Sequence, residues 1–139
     1  MSAITALTAQ NTQGVQSVEA VAPDFVRAQI DAVVSDIGVS AVKSGMLANV
    51  EIVQVVSKAL EKYSITSYLL DPVMASESGQ ALLSDEGIEA MKSELFPKAL
   101  IITPNIAEAE LLTGLSIKTQ DDMERAALAL FDMGPGYVL

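Results

Sequence analysis

The sequence predicts an α/β domain with a mainly parallel central sheet. Short aliphatic segments begin near residues 4, 40, 67, 100 and 137, and each interval is long enough for one strand, one helix and two loops. Half of the 139 residues are hydrophobic but only 4% are aromatic, so aliphatic side chains must form the core. Buried parallel strands are typically such aliphatic runs. We therefore expect repeated strand–helix–strand units in a single domain covering residues 1–139.

Each predicted strand is a short apolar run that ends at a turn or a proline. Pro72 and Pro104 follow two of these runs, and a proline cannot donate a ladder hydrogen bond. The polar residues 10–14 are predicted to form a turn after the first run, and Gly45 closes the second. The predicted strands are residues 4–9, 40–44, 68–70, 100–102 and 137–139.

The helix boundaries follow from capping residues and from apolar side chains at helical spacing. Pro23 suits the first turn of a helix that ends near residue 37. Asn49, Ser84 and Thr119 are favoured N-cap residue types, and Gly114 should stop a short helix covering residues 106–112. In the helix after Thr119 the predicted inward positions are Met123, Ala126, Leu128, Ala129 and Phe131.

Charge and composition exclude several classes of function. A net charge of −10 argues against nucleic-acid binding, which needs clustered basic residues. The chain has no Cys and no His, so disulfides, thiolate zinc sites and the usual general base are excluded within it. The sequence shows neither a basic leader followed by an apolar core nor an apolar run near the roughly 20 residues of a membrane span. We therefore expect a cytoplasmic protein without a membrane partner, in which a metal or a local basic group offsets the charge of any polyphosphate ligand.

The most informative residues are polar side chains that directly follow two predicted strands. Asp71 follows one strand, and Asn105 and Glu108 follow another at the start of a helix. Ligands of open parallel sheets bind beyond the carboxyl ends of the strands, and a helix N-terminus favours phosphate. These residues could therefore hold phosphate oxygens and a hydrated Mg²⁺. The alternatives are an ordinary Asp-Pro turn at Asp71 and a capping box formed by Asn105 and Glu108.

Other polar residues are open to two interpretations. Gln10 and Asn11 could recognise a heterocycle through paired donor and acceptor groups, or be exposed loop amides. Lys43 could meet a phosphate or be an ion-paired surface residue, and Met74 could line a pocket or belong to the core. The small polar loop at residues 75–79 could approach a phosphate, although it has no lysine.

Four stretches together resemble the hydroxymethylpyrimidine and phosphomethylpyrimidine kinases of thiamine biosynthesis, within the ribokinase-like superfamily. They occur in the family's order and spacing across essentially all 139 residues. The stretches are ITALTAQNT (residues 4–12), KSGML (residues 43–47), LDPVM (residues 70–74) and TPNIAEAE (residues 103–110).

The resemblance implies a three-layer α/β/α fold and transfer of the ATP γ-phosphate to the pyrimidine alcohol or to its monophosphate. Gln10 matches the position that hydrogen-bonds the pyrimidine, Thr8 lies beside it, and Met46 matches the side chain packed against the ring. Asp71 and Asn105 match positions near the ATP phosphates. Glu108 matches a Mg²⁺ position that acts through water. The family resemblance also implies a homodimer for the full-length protein.

The chain departs from the family pattern in two ways. Glu77 stands where relatives often have Lys, so a cationic phosphate contact in that loop is in doubt. The family's preceding strand and its later anion-hole segment, which carries the catalytic cysteine, have no counterpart in these residues. The fold is thus expected to be incomplete at both termini, with no assignable catalytic residue, and the isolated chain is expected not to turn over.

Two alternatives to a pyrimidine kinase stay open. A pyridoxine or pyridoxal kinase shares the Asp-Pro-Val-Met and Thr-Pro-Asn elements, although residues 9–11 and 43–46 favour the pyrimidine. A truncated, non-catalytic fragment is the other alternative, and its uncovered sheet edges would favour self-association.

Overall fold

The computed structural model describes residues 1–76 and 79–139. Its strands are β1 (Ala6–Asn11), β2 (Gly14–Ala20), β3 (Val42–Ser44), β4 (Tyr68–Leu70), β5 (Ile101–Ile102) and β6 (Tyr137–Val138). A four-stranded parallel sheet has the order β3-β4-β5-β6, which is also the order along the chain. A separate two-stranded antiparallel sheet is formed by β1 and β2.

Helices connect the strands of the parallel sheet, as the strand spacing predicts. A short 3₁₀ turn, Phe96–Lys98, leads into β5. None of the helices in the described part of the chain is long and apolar enough to cross a membrane. The helices are α1 (Pro23–Ile37), α2 (Val50–Lys62), α3 (Asp85–Glu94), α4 (Ile106–Thr113) and α5 (Gln120–Phe131).

The predicted helix starts are confirmed by the capping hydrogen bonds. Pro23 occupies the first turn of α1. The side chains of Asn49 and Ser84 accept backbone N–H bonds at the starts of α2 and α3, and the side chain of Thr119 does so for α5. Each cap satisfies a donor that has no partner within its own helix, so these helices begin where the sequence predicts.

The core lies between the parallel sheet and the helices. Tyr68 and Leu70 of β4 and Ile102 of β5 are fully buried, together with Ile52 of α2 and Phe96 of the 3₁₀ turn. This packing fixes the two central strands, and with them the residues that follow at their carboxyl ends.

The prediction that residues 4–9 form a strand of the parallel sheet is wrong, because β1 belongs to the separate two-stranded sheet. β1 pairs with β2 around a tight turn in which the Asn11 carboxamide accepts a bond from the Gln13 N–H at 2.9 Å. The predicted turn at residues 10–14 is therefore shorter, because Gln10 and Asn11 belong to β1. The sequence does not reveal the hairpin, because its amide-rich strands are largely exposed and lack the alternation of apolar residues that marks a half-buried strand.

The apolar pattern of the outer helices does not translate into burial at every position. In α1 only Val26 is buried, and Phe25 is 63% exposed. In α5 the predicted inward position Ala126 is buried, but Met123, Leu128 and Phe131 are 50%, 66% and 51% exposed. Spacing defines an apolar face, whereas burial also needs an element to cover that face.

Tyr68 ties β4 to β3 through a polar contact inside the core. Its hydroxyl lies 2.6 Å from the Ser44 Oγ, and the side chain is fully buried. Burial raises the pKa of Tyr68 to about 12, and the Ser44 contact opposes that rise. The folded protein therefore keeps the Tyr68 proton at a pH where an unfolded chain releases it.

We expect the free energy of unfolding to fall by roughly 2 kcal/mol between pH 10 and pH 12 because of Tyr68. Above its ordinary pKa of 10.0 the phenol ionises in the unfolded chain first, and this favours unfolding as the pH rises. Urea titrations at several pH values measure the slope, and the Tyr68→Phe variant should lack this contribution. At neutral pH that variant should lose about 1 kcal/mol, because the Ser44 hydroxyl loses its partner. Parallel curves for the two proteins between pH 10 and pH 12 would contradict the assignment.

Candidate functional site

The carboxyl ends of β3, β4 and β5 lie side by side. Ser44 pairs in register with Leu70, and Leu70 with Ile102. The ladder continues one residue further, since the Asp71 N–H donates to the Ser44 carbonyl at 2.9 Å and the Thr103 N–H to the Leu70 carbonyl at 3.1 Å. The sheet therefore places Asp71 directly beside the segment that leads into α4.

Asp71, which follows β4, forms an ion pair with Lys43 of the neighbouring strand β3. The Lys43 Nζ lies 2.7 Å from the Asp71 Oδ2, with 59% of the lysine side chain and 31% of the aspartate side chain exposed. The ion-paired alternative for Lys43 is thus confirmed. Since the pair is accessible to solvent, it contributes little to stability, about 0–1 kcal/mol.

Asn105 and Glu108 form a reciprocal capping box at the start of α4. The Asn105 Oδ1 accepts from the Glu108 N–H at 2.9 Å, and the Glu108 Oε2 accepts from the Asn105 N–H at 2.8 Å. The capping-box alternative is therefore confirmed. Because the Asn105 side-chain oxygen serves the cap, its amide –NH₂ is the group suited to donate to a phosphate oxygen.

The electrostatics link Glu108 to Asp71. Glu108 is only 9% exposed, and this burial raises its pKa above the ordinary range. The bond from the Asn105 N–H opposes the rise, and the negative charge of Asp71 adds to it. Two carboxylates that repel each other in this way would be stabilised by a cation between them.

The carboxylates fit a magnesium ion that also binds phosphate oxygens. Among the described residues, no group of three or more acidic side chains converges as a complete metal cage. Mg²⁺ usually keeps several waters and uses one or two carboxylates together with substrate phosphates. Asp71 and Glu108 supply oxygen donors of this kind, and in such a site neither would need to supply a full coordination shell.

A cavity of about 590 Å³ lies beside β3. Met46 and Lys43 line it, together with residues of α1 and α2 and the N-terminal residues 1–3. The Thr5 hydroxyl donates to the Met46 carbonyl at 2.7 Å and so fixes the base of the β1–β2 hairpin against this segment. Nothing in the sequence marks Thr5 for this contact, because the two residues are 41 positions apart.

The other predicted pyrimidine residues lie elsewhere. Thr8 and Gln10 are exposed on β1, and neither lines the cavity beside β3. The structure therefore brings Lys43 into contact with Asp71, whose charge also acts on Glu108, and leaves Thr8 and Gln10 on the separate hairpin.

The segment after Asp71 is only partly a candidate for ligand contact. Met74 is 2% exposed, which confirms the core alternative for this side chain. Its carbonyl accepts from the Leu82 N–H at 2.8 Å, and Ala75 pairs with Ala81 across the loop. Glu77, where a family lysine is often found, lies with Ser78 outside the described residues.

A parallel sheet with a carboxylate, a lysine and a capped helix N-terminus at its strand ends is typical of phosphate-binding α/β proteins. The solved structures that superpose on it are ribokinase-like kinases, and the predicted fold class is confirmed. The chain belongs to the phosphomethylpyrimidine kinase family, whose family model matches residues 1–139.

Individual relatives agree with this family. The chain is 44% identical over 139 residues to the hydroxymethylpyrimidine/phosphomethylpyrimidine kinase of Bacillus subtilis, covering 100% of the chain and 51% of the relative. The crystal structure of a Clostridium difficile phosphomethylpyrimidine kinase superposes with a TM-score of 0.89 at 46% identity, covering 100% of this chain and 60% of that one. The chain thus spans about half the length of the curated relative.

The pyridoxal kinase alternative corresponds to more distant relatives. The ADP complex of Bacillus subtilis pyridoxal kinase superposes with a TM-score of 0.85 at 33% identity, covering 99% of this chain and 51% of that one. The fold is therefore shared by both kinds of kinase, while the sequence is closer to the pyrimidine kinases.

Proposed function

We propose that this chain provides part of a kinase that uses ATP and Mg²⁺ to phosphorylate 4-amino-5-hydroxymethyl-2-methylpyrimidine and its monophosphate, for thiamine diphosphate biosynthesis. The observation that carries the proposal is the group formed by Lys43, Asp71 and the Asn105–Glu108 capping box at adjacent strand ends. The match of the family over the whole chain supports the choice of substrate.

The residues at the strand ends would position the phosphates. Asn105 would donate its amide to a phosphate oxygen, and Asp71 would face the phosphates and their metal. Glu108 would hold a water of the Mg²⁺ shell while its other oxygen stays on the Asn105 N–H. When bound, Mg²⁺ neutralises charge on the transferring phosphoryl group, so the contribution of these residues is orientation and charge balance.

Pyrimidine recognition would fall to the side of the molecule that carries the hairpin. Met46 lines the cavity beside β3 and offers an apolar surface for the ring. Gln10 and Thr8 are exposed on β1, where they can contact a ligand only if it reaches the hairpin. The proposal includes a homodimer for the full-length protein and small molecules rather than nucleic acid as ligands, in keeping with the net charge of −10.

Isothermal titration calorimetry with the purified chain tests the proposal without requiring turnover. The ligands are the hydroxymethylpyrimidine, pyridoxine and Mg-ATP, each measured separately. We expect the pyrimidine to bind more tightly than pyridoxine, and Mg²⁺ to increase ATP binding. Tighter binding of pyridoxine would favour the pyridoxal kinase alternative, and binding of none of the three would favour the non-catalytic alternative. ADP production from Mg-ATP with each acceptor is the corresponding activity assay, in which the isolated chain is expected to show no turnover.

A further inference from the structure

A phosphorylated pyrimidine creates a charge problem at the strand ends. A phosphate monoester carries about −1.5 to −2 charges at pH 7. It would approach the Asp71 and Glu108 carboxylates, within a chain whose net charge is −10. Without a cation, this substrate would be repelled more strongly than the uncharged alcohol.

Lys43 is placed to supply such a cation at the strand ends. Its ammonium group contacts Asp71, and Lys43 is, like Met46, one of the residues that line the cavity beside β3. Lys43 therefore belongs both to the cavity beside β3 and to the ion pair with Asp71 at the strand ends. A pyrimidine in that cavity with its phosphate toward the strand ends would meet this side chain.

The Lys43–Asp71 pair can be exchanged at low cost. The lysine side chain is 59% exposed, and exposed ion pairs are worth about 0–1 kcal/mol. A lysine ammonium is a flexible point charge with three donors, so it can turn from a carboxylate to a phosphate without a backbone change.

The other basic residues of the described chain lie on different elements. Of these seven other Lys and Arg residues, five pair with acidic residues that lie away from the strand ends. These seven residues are Arg27 of α1, Lys58 and Lys62 of α2, Lys92 of α3, Lys98 of the 3₁₀ turn, Lys118 before α5 and Arg125 of α5.

We propose that Lys43 is the residue that distinguishes the phosphorylated pyrimidine from the alcohol, by leaving Asp71 to bind the phosphate group. The inference rests on the proposed function, since it assigns the second acceptor of the same site. It adds a specificity-determining contact on β3 to the residues discussed above.

Calorimetric binding of the hydroxymethylpyrimidine and of its monophosphate tests the proposal in four proteins. These are the wild type, Lys43→Met, Lys43→Arg and Lys62→Met. Lys62 is a matched control, because its ion pair with Asp31 has a similar length of 2.9 Å and similar side-chain exposures of 56% and 35%. We expect Lys43→Met to weaken monophosphate binding roughly tenfold to a hundredfold, as for the loss of a charge-assisted hydrogen bond. Binding of the alcohol should weaken less than binding of the monophosphate, because the alcohol carries no charge for Lys43 to balance.

The other two variants and the alcohol ligand distinguish an error in the role of Lys43 from an error in the pyrimidine assignment. Lys43→Arg should retain most of the monophosphate affinity, and Lys62→Met should behave like the wild type. Equal monophosphate binding by Lys43→Met and wild type, or an equal loss in Lys62→Met, would overturn the role of Lys43 and leave the pyrimidine assignment intact. Failure of the wild type to bind the alcohol and the monophosphate would contradict both proposals. Far-UV circular dichroism and urea unfolding, which do not depend on ligand binding, show whether Lys43→Met is folded.

Discussion

Replacing Glu108 with glutamine is expected to weaken Mg²⁺-dependent ATP binding roughly 10- to 100-fold, the usual cost of losing a partner in the outer shell of a metal. Glutamine keeps an oxygen that can accept from the Asn105 N–H, so the capping box survives while the charge is lost. The free energy of unfolding should stay the same or rise slightly. The reason is that a carboxyl group whose pKa is raised by folding destabilises the folded state once it ionises.

Control variants separate the capping role of Glu108 from its proposed magnesium role. The Glu108→Ala variant should also lose about 1 kcal/mol of stability, because it removes the acceptor of the capping box. The chain contains a second capping box, formed by Thr119 and Asp122 at the start of α5. Asp122→Asn makes the matched change at that helix and should leave Mg²⁺-dependent binding unaltered. Calorimetry with ATP, in the presence and absence of Mg²⁺, measures the effect. If Glu108→Gln binds Mg-ATP as the wild type does, Glu108 is only a cap.

Shortening Leu70 to alanine is expected to lower the free energy of unfolding by about 2–5 kcal/mol. Leu70 is fully buried on β4, between β3 and β5, and a cavity at this position cannot be filled without moving a central strand. Since small domains have total stabilities of about 5–15 kcal/mol, the loss is a large fraction of the total.

Urea unfolding measures the effect, with Leu100→Ala as the control. Leu100 precedes β5 but is 46% exposed, and its backbone N–H, which donates to the Tyr68 carbonyl, is unaffected by the substitution. We expect that control to lose less than about 1 kcal/mol. Equal losses in the two variants would mean that the centre of the sheet is no more tightly packed than its margin.

The elements that could be predicted from the sequence are those with local chemical signals. Asn49, Ser84 and Thr119 mark helix starts through side-chain oxygens that serve their own backbone, so no knowledge of tertiary contacts is needed. Strands β3 to β6 are predicted because short aliphatic runs alternate with helical segments. The adjacency of Asp71 to the start of α4 follows from strand order alone.

What could not be predicted depends on contacts between distant parts of the chain. The β1–β2 hairpin has little burial to leave a periodic pattern, and the exposure of Phe131 depends on which elements cover α5. The sequence also left open whether Lys43 pairs or stays free, because its partner lies 28 residues away. The capping and metal roles of Glu108 use the same residue types at the same spacing, so sequence alone cannot separate them.

The β1–β2 hairpin and the parallel sheet differ in how much buried surface holds them in place. An isolated two-stranded hairpin is at best marginally stable, and β1 and β2 are largely exposed to solvent. Opening of the hairpin would break its own ladder while the core stays folded, whereas separating β4 from its neighbours disrupts the core. Gln10 and Thr8 therefore lie on a segment with less buried surface than the strands that carry Asp71 and the start of α4, and we expect lower hydrogen-exchange protection there. If the proposed site is correct, its pyrimidine end can rearrange without disturbing the residues proposed for the phosphates.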